Sequence, residues 1–146
     1  MRDAVSLNEW EPVSEKEAMP RGATPLFDAL GRLISLAEGA DKKRAAVIVM
    51  TDGHENSSRE LKKSDAEKLI KRCKEREWQV VFLGADFDNF DQANSVGVAV
   101  GQTMKMDKGN YRGATVALAT ATAAYASTGK SVEFTDEDRK KASGAA

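Results

Sequence analysis

Ala45 to Asn56, AAVIVMTDGHEN, constrains this chain more than any other stretch. The run from Ala45 to Met50 is small or apolar throughout, with Lys42-Lys43-Arg44 before it and Thr51-Asp52-Gly53 after it. Such a run suits a strand buried inside a parallel sheet that is covered on both faces. Ligands of open α/β sheets collect at the carboxyl ends of these strands, which makes Asp52 the first candidate functional residue.

The flanking segments repeat the pattern. Leu26, Ala29, Leu30, Leu33, Ile34 and Ala37 recur at helical spacing before Gly39, with Thr24 placed to cap that helix and Pro25 at its first position. A second helix is predicted over Leu61 to Trp78, its apolar stripe made by Ala66, Leu69, Ile70 and Cys73. Gln79 to Gly84, QVVFLG, reads as a second buried strand that ends at Ala85-Asp86 as the first ends at Thr51-Asp52. A short helix over Phe90 to Val96, a short strand over Val98 to Val100 and a long Ala- and Thr-rich helix over Asn110 to Ser127, closed by Gly129, complete the series. Strands alternating with helices imply crossovers and a parallel sheet. Arg2 to Trp10 reads as a short edge strand or an ordered arm, and Glu11 to Arg21 as a loop. The expected organisation is one domain over 1–146: an arm and loop over 1–21, an α/β core over 22–128 and a C-terminal tail over 129–146.

Composition narrows the partners. With 22 basic and 23 acidic residues the formal net charge is -1, which argues against nucleic acid as the main partner. The basic residues of the second helix alternate with acidic ones and read as a solvated face with i,i+4 pairs such as Glu67 to Lys71. Cys73 is the one cysteine and falls on an apolar stripe, the place of a core thiol. No apolar run reaches bilayer-spanning length, so a cytoplasmic protein without a membrane partner is expected.

Two elements meet at the predicted carboxyl end of the sheet: Gly22-x-Thr24-Pro25-Leu26-x-Asp28-Ala29-Leu30, and Thr51-Asp52-Gly53-x-x-Asn56. Together they resemble a von Willebrand factor A domain, and QVVFLGADFD, the Gly97 segment and the last long helix resemble a bacterial or phage branch of it. The resemblance implies a three-layer α/β/α, Rossmann-like, mostly parallel sheet. It also implies a protein-binding role through a metal-ion-dependent adhesion site, with the family's threonine at Thr24 and its aspartate at Asp52. The family's D-x-S-x-S segment, which lies upstream of the threonine loop, has no counterpart before Thr24, so the expected fold lacks the usual first strands and the site is partial. A hydroxyl and a carboxylate leave most of an octahedral Mg²⁺ or Mn²⁺ shell open, so weak metal binding completed by a partner's acidic side chain is the expected chemistry. Without a central strand beside it, Ala45 to Met50 becomes an apolar edge, and self-association or completion by another chain follows. That is the alternative function: a metal-independent assembly domain.

Enzymatic readings are less well supported. His54 lies beside Glu55 and Ser57, groups a hydrolase uses, but near neighbours in one turn rarely converge on one substrate atom. Ala124 to Ser131 fits a relaxed P-loop pattern, yet it closes a helix where a P-loop must open one. No catalytic residue is therefore assigned.

Overall fold

The computed structural model describes residues 6–17, 19, 22–85, 88–107 and 109–144, with backbone alone at 7 and 88–90. The two apolar runs form strands β1 (Ala46–Thr51) and β2 (Gln79–Gly84), paired in parallel with Ala46 opposite Gln79 and Thr51 opposite Gly84. A third strand, β3 (Thr103–Lys105), pairs in parallel with the far side of β2, and the sheet order is β1-β2-β3. β2 is buried along its whole length, as a strand paired on both sides and covered on both faces must be.

Helices cover both faces. On one lie α1 (Leu26–Gly39), α2 (Lys63–Glu75) and α3 (Asp88–Ser95), whose apolar stripes pack Leu30, Ile34, Ile70 and Ala93 against Val47, Val49, Val80 and Phe82. On the other lie α4 (Tyr111–Thr128) and α5 (Asp136–Ser143), with Ala114, Ala117, Tyr125 and Ala142 against Val81, Leu83 and Met104. Odd residues of β1 serve the first face and even residues the second, as the two-residue period of a strand requires. This is an α/β fold on a small, open, parallel sheet. Among the described residues no helix is long and apolar enough to cross a membrane.

Several expectations are corrected. Val98 to Val100 forms no strand: Gly97 turns the chain at φ +97, Val98 drops into the core, Val100 stays exposed within a 3-10 turn (Val100–Gln102), and β3 starts at Thr103. Trp78 lies beyond α2, buried between that helix and β2. The segment read as a tail carries α5, started by Thr135 and Asp138, each accepting the other's backbone N–H, and docked on α4. Gly113 of α4 lets the two helices touch, since a Cβ there would overlap the Lys141 carbonyl. Leu7–Glu9 is a 3-10 turn and not the edge strand that was one of the two readings there. Residues 1–5 and Asp86 lie outside the described residues.

Two sequence readings agree with the structure in detail. Cys73 is buried, and burial pushes its thiol pKa up, away from reactivity. Gly129 closes α4 in the left-handed conformation at φ +78, so the P-loop-like segment does sit at a helix end.

Candidate functional site

At the end of β1 the chain folds back on itself. The Thr51 hydroxyl donates to the Gly53 carbonyl (2.8 Å) and accepts the Gly53 N–H (3.1 Å), a local turn that presses Gly53 toward α1. A Cβ on Gly53 would lie 3.0 Å from Thr24 Oγ1, so only a glycine passes here without displacing that side chain. Asn56 then clamps the Thr24 backbone from both sides: its Oδ1 accepts the Thr24 N–H (2.9 Å) and its own N–H donates to the Thr24 carbonyl (3.2 Å). The two motifs are joined by these contacts. Thr24, half-buried, and Asp52, exposed, stand on the walls of one cleft of about 360 Å³ that runs between α1 and β1 over Leu30, Leu33, Ile48 and Met50.

Thr24 does not cap α1. Pro25 holds the cap position without a side-chain bond, and the free N–H groups of the first turn are satisfied from the loop after β1. Glu55 accepts from Phe27 N–H (2.8 Å), and Ser58 Oγ accepts from the N–H groups of Phe27 and Asp28. Glu55 also accepts from the N–H groups of Ser57 and Ser58 and from the Ser58 hydroxyl at 2.6 Å. Burial alone would raise the Glu55 carboxyl, but these hydrogen bonds together hold it below its ordinary value. The arrangement is reciprocal. Asp28, in the first turn of α1, accepts the N–H groups of Arg59, Glu60 and Leu61, and the bond from Arg59 does most to lower its pKa.

This lock was missed in the sequence because its partners lie 28 to 33 residues apart. The one local signal was the density of capping residues in Glu55-Asn56-Ser57-Ser58. It also bears on the hydrolase reading, since the Glu55 carboxylate that would orient His54 is committed to the N-terminus of α1.

The sheet edge is the second feature of the site. Among the described residues β2 is the one strand bonded to β1, and the N–H groups of Gln79 and Ala85 donate to the carbonyls of Ala45 and Thr51. In a parallel ladder the polar groups of alternate residues face alternate sides, so Val47 and Val49 also face β2, while Ala46, Ile48 and Met50 present N–H and C=O to the open side. Met50 (52 %) and Leu33 (37 %) leave apolar side chains exposed beside that edge.

A larger groove of about 780 Å³ lies between α1 and α2 and shares Pro25 and Ala29 with the cleft beside β1. Much of its charged rim is engaged: Arg72 pairs with Glu38 at 2.7 Å, Lys68 with Asp65 at 3.4 Å, and Asp28 with the backbone. Among the described residues no three His, Cys, Asp or Glu side chains gather as a metal cluster. Among the described residues at the β1 end, Thr51 Oγ1 and Glu55 are bonded locally, while Thr24 and Asp52 line the cleft. Comparison with family models, curated proteins and solved structures returned no match.

Proposed function

We propose that this chain is a protein-interaction module whose working surface is the free edge of β1 and the cleft beside it. The observation that carries this reading is an apolar strand that, among the described residues, is bonded on one side, with Ala46, Ile48 and Met50 turned outward next to exposed Leu33. An extended segment of another chain adds to such an edge through main-chain hydrogen bonds, and neighbouring pockets read its side chains. The resemblance of the Thr24 and Asp52 loops to a von Willebrand factor A domain supports the same end of the sheet as the place of contact.

A second reading keeps the metal. The clamp between Thr24 and Asn56 brings the two candidate ligand loops to one cleft, where Mg²⁺ or Mn²⁺ would polarise an incoming carboxylate. Two oxygens do not fit a resident ion, which takes six, so the chain's own part would be to hold one hydroxyl and one carboxylate in place.

The two readings separate cleanly in a binding experiment on captured protein partners. Edge pairing predicts that binding survives EDTA and is lost in Ile48→Pro, where the ring removes an outward N–H that β2 does not use. Metal-dependent capture predicts the reverse, with loss in EDTA and weakening by Thr24→Ala. Binding indifferent to all of these changes would sink both.

A further inference from the structure

The β1 edge carries a charge pattern that selects its occupant. Lys42, Lys43 and Arg44 precede the strand and Asp52 follows it, with all four side chains exposed. A neighbour running parallel with the same pattern would set basic end against basic end. One running antiparallel sets each basic end against an acidic one, and β1 is itself a strand with the required pattern.

We infer that the occupant of the β1 edge is β1 of a second copy of this chain, paired antiparallel about Ile48 to give a continuous six-stranded sheet. The inference rests on reading the β1 edge as the interaction surface and names the partner. Outward-facing residues must meet outward-facing residues in an antiparallel ladder, which restricts the two-fold registers. Centring on Ile48 alone uses all three outward residues of β1, placing Ala46 opposite Met50 of the other copy and Ile48 opposite itself. That forms about six main-chain hydrogen bonds. It also sets the small Ala46 against the long Met50, a complementary pair of volumes.

The same register places Arg44 opposite Asp52 of the second copy, twice by symmetry. Arg44 is prepared for this: its Nη1 donates to the Ala126 carbonyl at 2.8 Å near the end of α4, which leaves further guanidinium N–H groups for a carboxylate. A two-fold axis normal to the sheet keeps the faces matched, so α1 meets its own copy. Exposed Leu33 of α1, in the cleft beside β1, then lies on the side where apolar contact extends the interface beyond the strands.

Sedimentation of the whole chain from low to high micromolar concentration tests this. The expected result is a monomer–dimer equilibrium that Asp52→Arg weakens about tenfold, because two like-charge pairs replace two opposite ones. Arg44→Asp combined with Asp52→Arg restores it, a result that a general folding defect cannot produce. Ile48→Pro is expected to leave a monomer with cooperative thermal unfolding, and if that variant fails to fold, the charge exchange still decides. A dimer insensitive to charge exchange overturns the inference. A monomer at every concentration also overturns it: if Ile48→Pro still abolishes partner capture, the edge reading stands without self-pairing, and if capture is unaffected, both fall.

Discussion

Glu55 shows how one side chain holds the two halves of the site in register. Its carboxylate and the Ser58 hydroxyl supply the first turn of α1 with acceptors that the chain before α1 does not provide. Because the folded-state pKa of Glu55 is depressed, its contribution is present above the unfolded value of about 4.3 and is lost as pH falls through the lower folded value. Asp28 has the same sign. Glu55→Gln keeps one acceptor oxygen but turns an NH₂ toward N–H donors, so it should destabilise by about 1–2 kcal/mol at neutral pH. Urea unfolding at pH 7 and at pH 3 checks this, with the difference from the parent chain shrinking at the lower pH. A parent chain no less stable in acid would show that the lock contributes little. Ser57 and Ser58 should behave oppositely to each other. Ser57 Oγ is buried without a partner, so Ser57→Ala should be neutral or stabilising by up to about 1 kcal/mol, whereas Ser58→Ala removes a cap and should destabilise. Denaturant midpoints of the two variants falling on the same side of the parent would contradict that.

At the scale of elements, α5 has a narrow apolar face and packs chiefly on α4. Ala142 is its buried side chain, and its attachment is completed by Arg139, whose guanidinium donates to the carbonyls of Thr103 and Val100. α5 therefore ties the start of β3 to the start of α4. Gly113→Ala inserts a methyl group where the Lys141 carbonyl already lies, and neither backbone can rotate away as a side chain would. The expected effect is a loss of about 1–3 kcal/mol and a melting temperature several degrees lower, read by calorimetry, with α5 losing amide protection before β2 does. Elements with a wide apolar stripe or a continuous apolar run were legible in the sequence: α1, β1, α2, β2 and α4 all lie within a few residues of where periodicity puts them. β3 was misplaced because the visible alternation at Val98 to Val100 belongs to a loop, while the pairing strand is the mixed run Thr103-Met104-Lys105. α5 was missed because a helix burying one alanine has almost no periodic signal, although its start, Thr135 with Asp138 three residues on, was readable as a capping box. At the site, the two loops carrying Thr24 and Asp52 were legible from local motifs, but the Glu55, Ser58 and Asp28 bonds depend on pairings across α1 and β1 that no local pattern encodes.

For the whole molecule, the decisive asymmetry is between the two sides of one strand. β2 is enclosed by strands on both sides, and Val47, Val49 and Thr51 of β1 direct their polar groups into it. Ala46, Ile48 and Met50 direct theirs to the side where no described strand pairs, so backbone protection along β1 should alternate with period two. Hydrogen exchange followed residue by residue at low concentration is expected to show Val47, Val49 and Thr51 as slow and Ala46, Ile48 and Met50 as fast. If β1 pairs with its own copy, raising the concentration closes the alternation, because the same three outward amides acquire carbonyl partners while the inward ones are unchanged. Exchange at Val81 and Leu83 of β2 is the internal reference, since those amides sit in the sheet interior in either state. Uniform protection of β1 at high dilution would mean that the edge is already covered within a single chain, and the interaction surface would then have to be sought elsewhere on the fold.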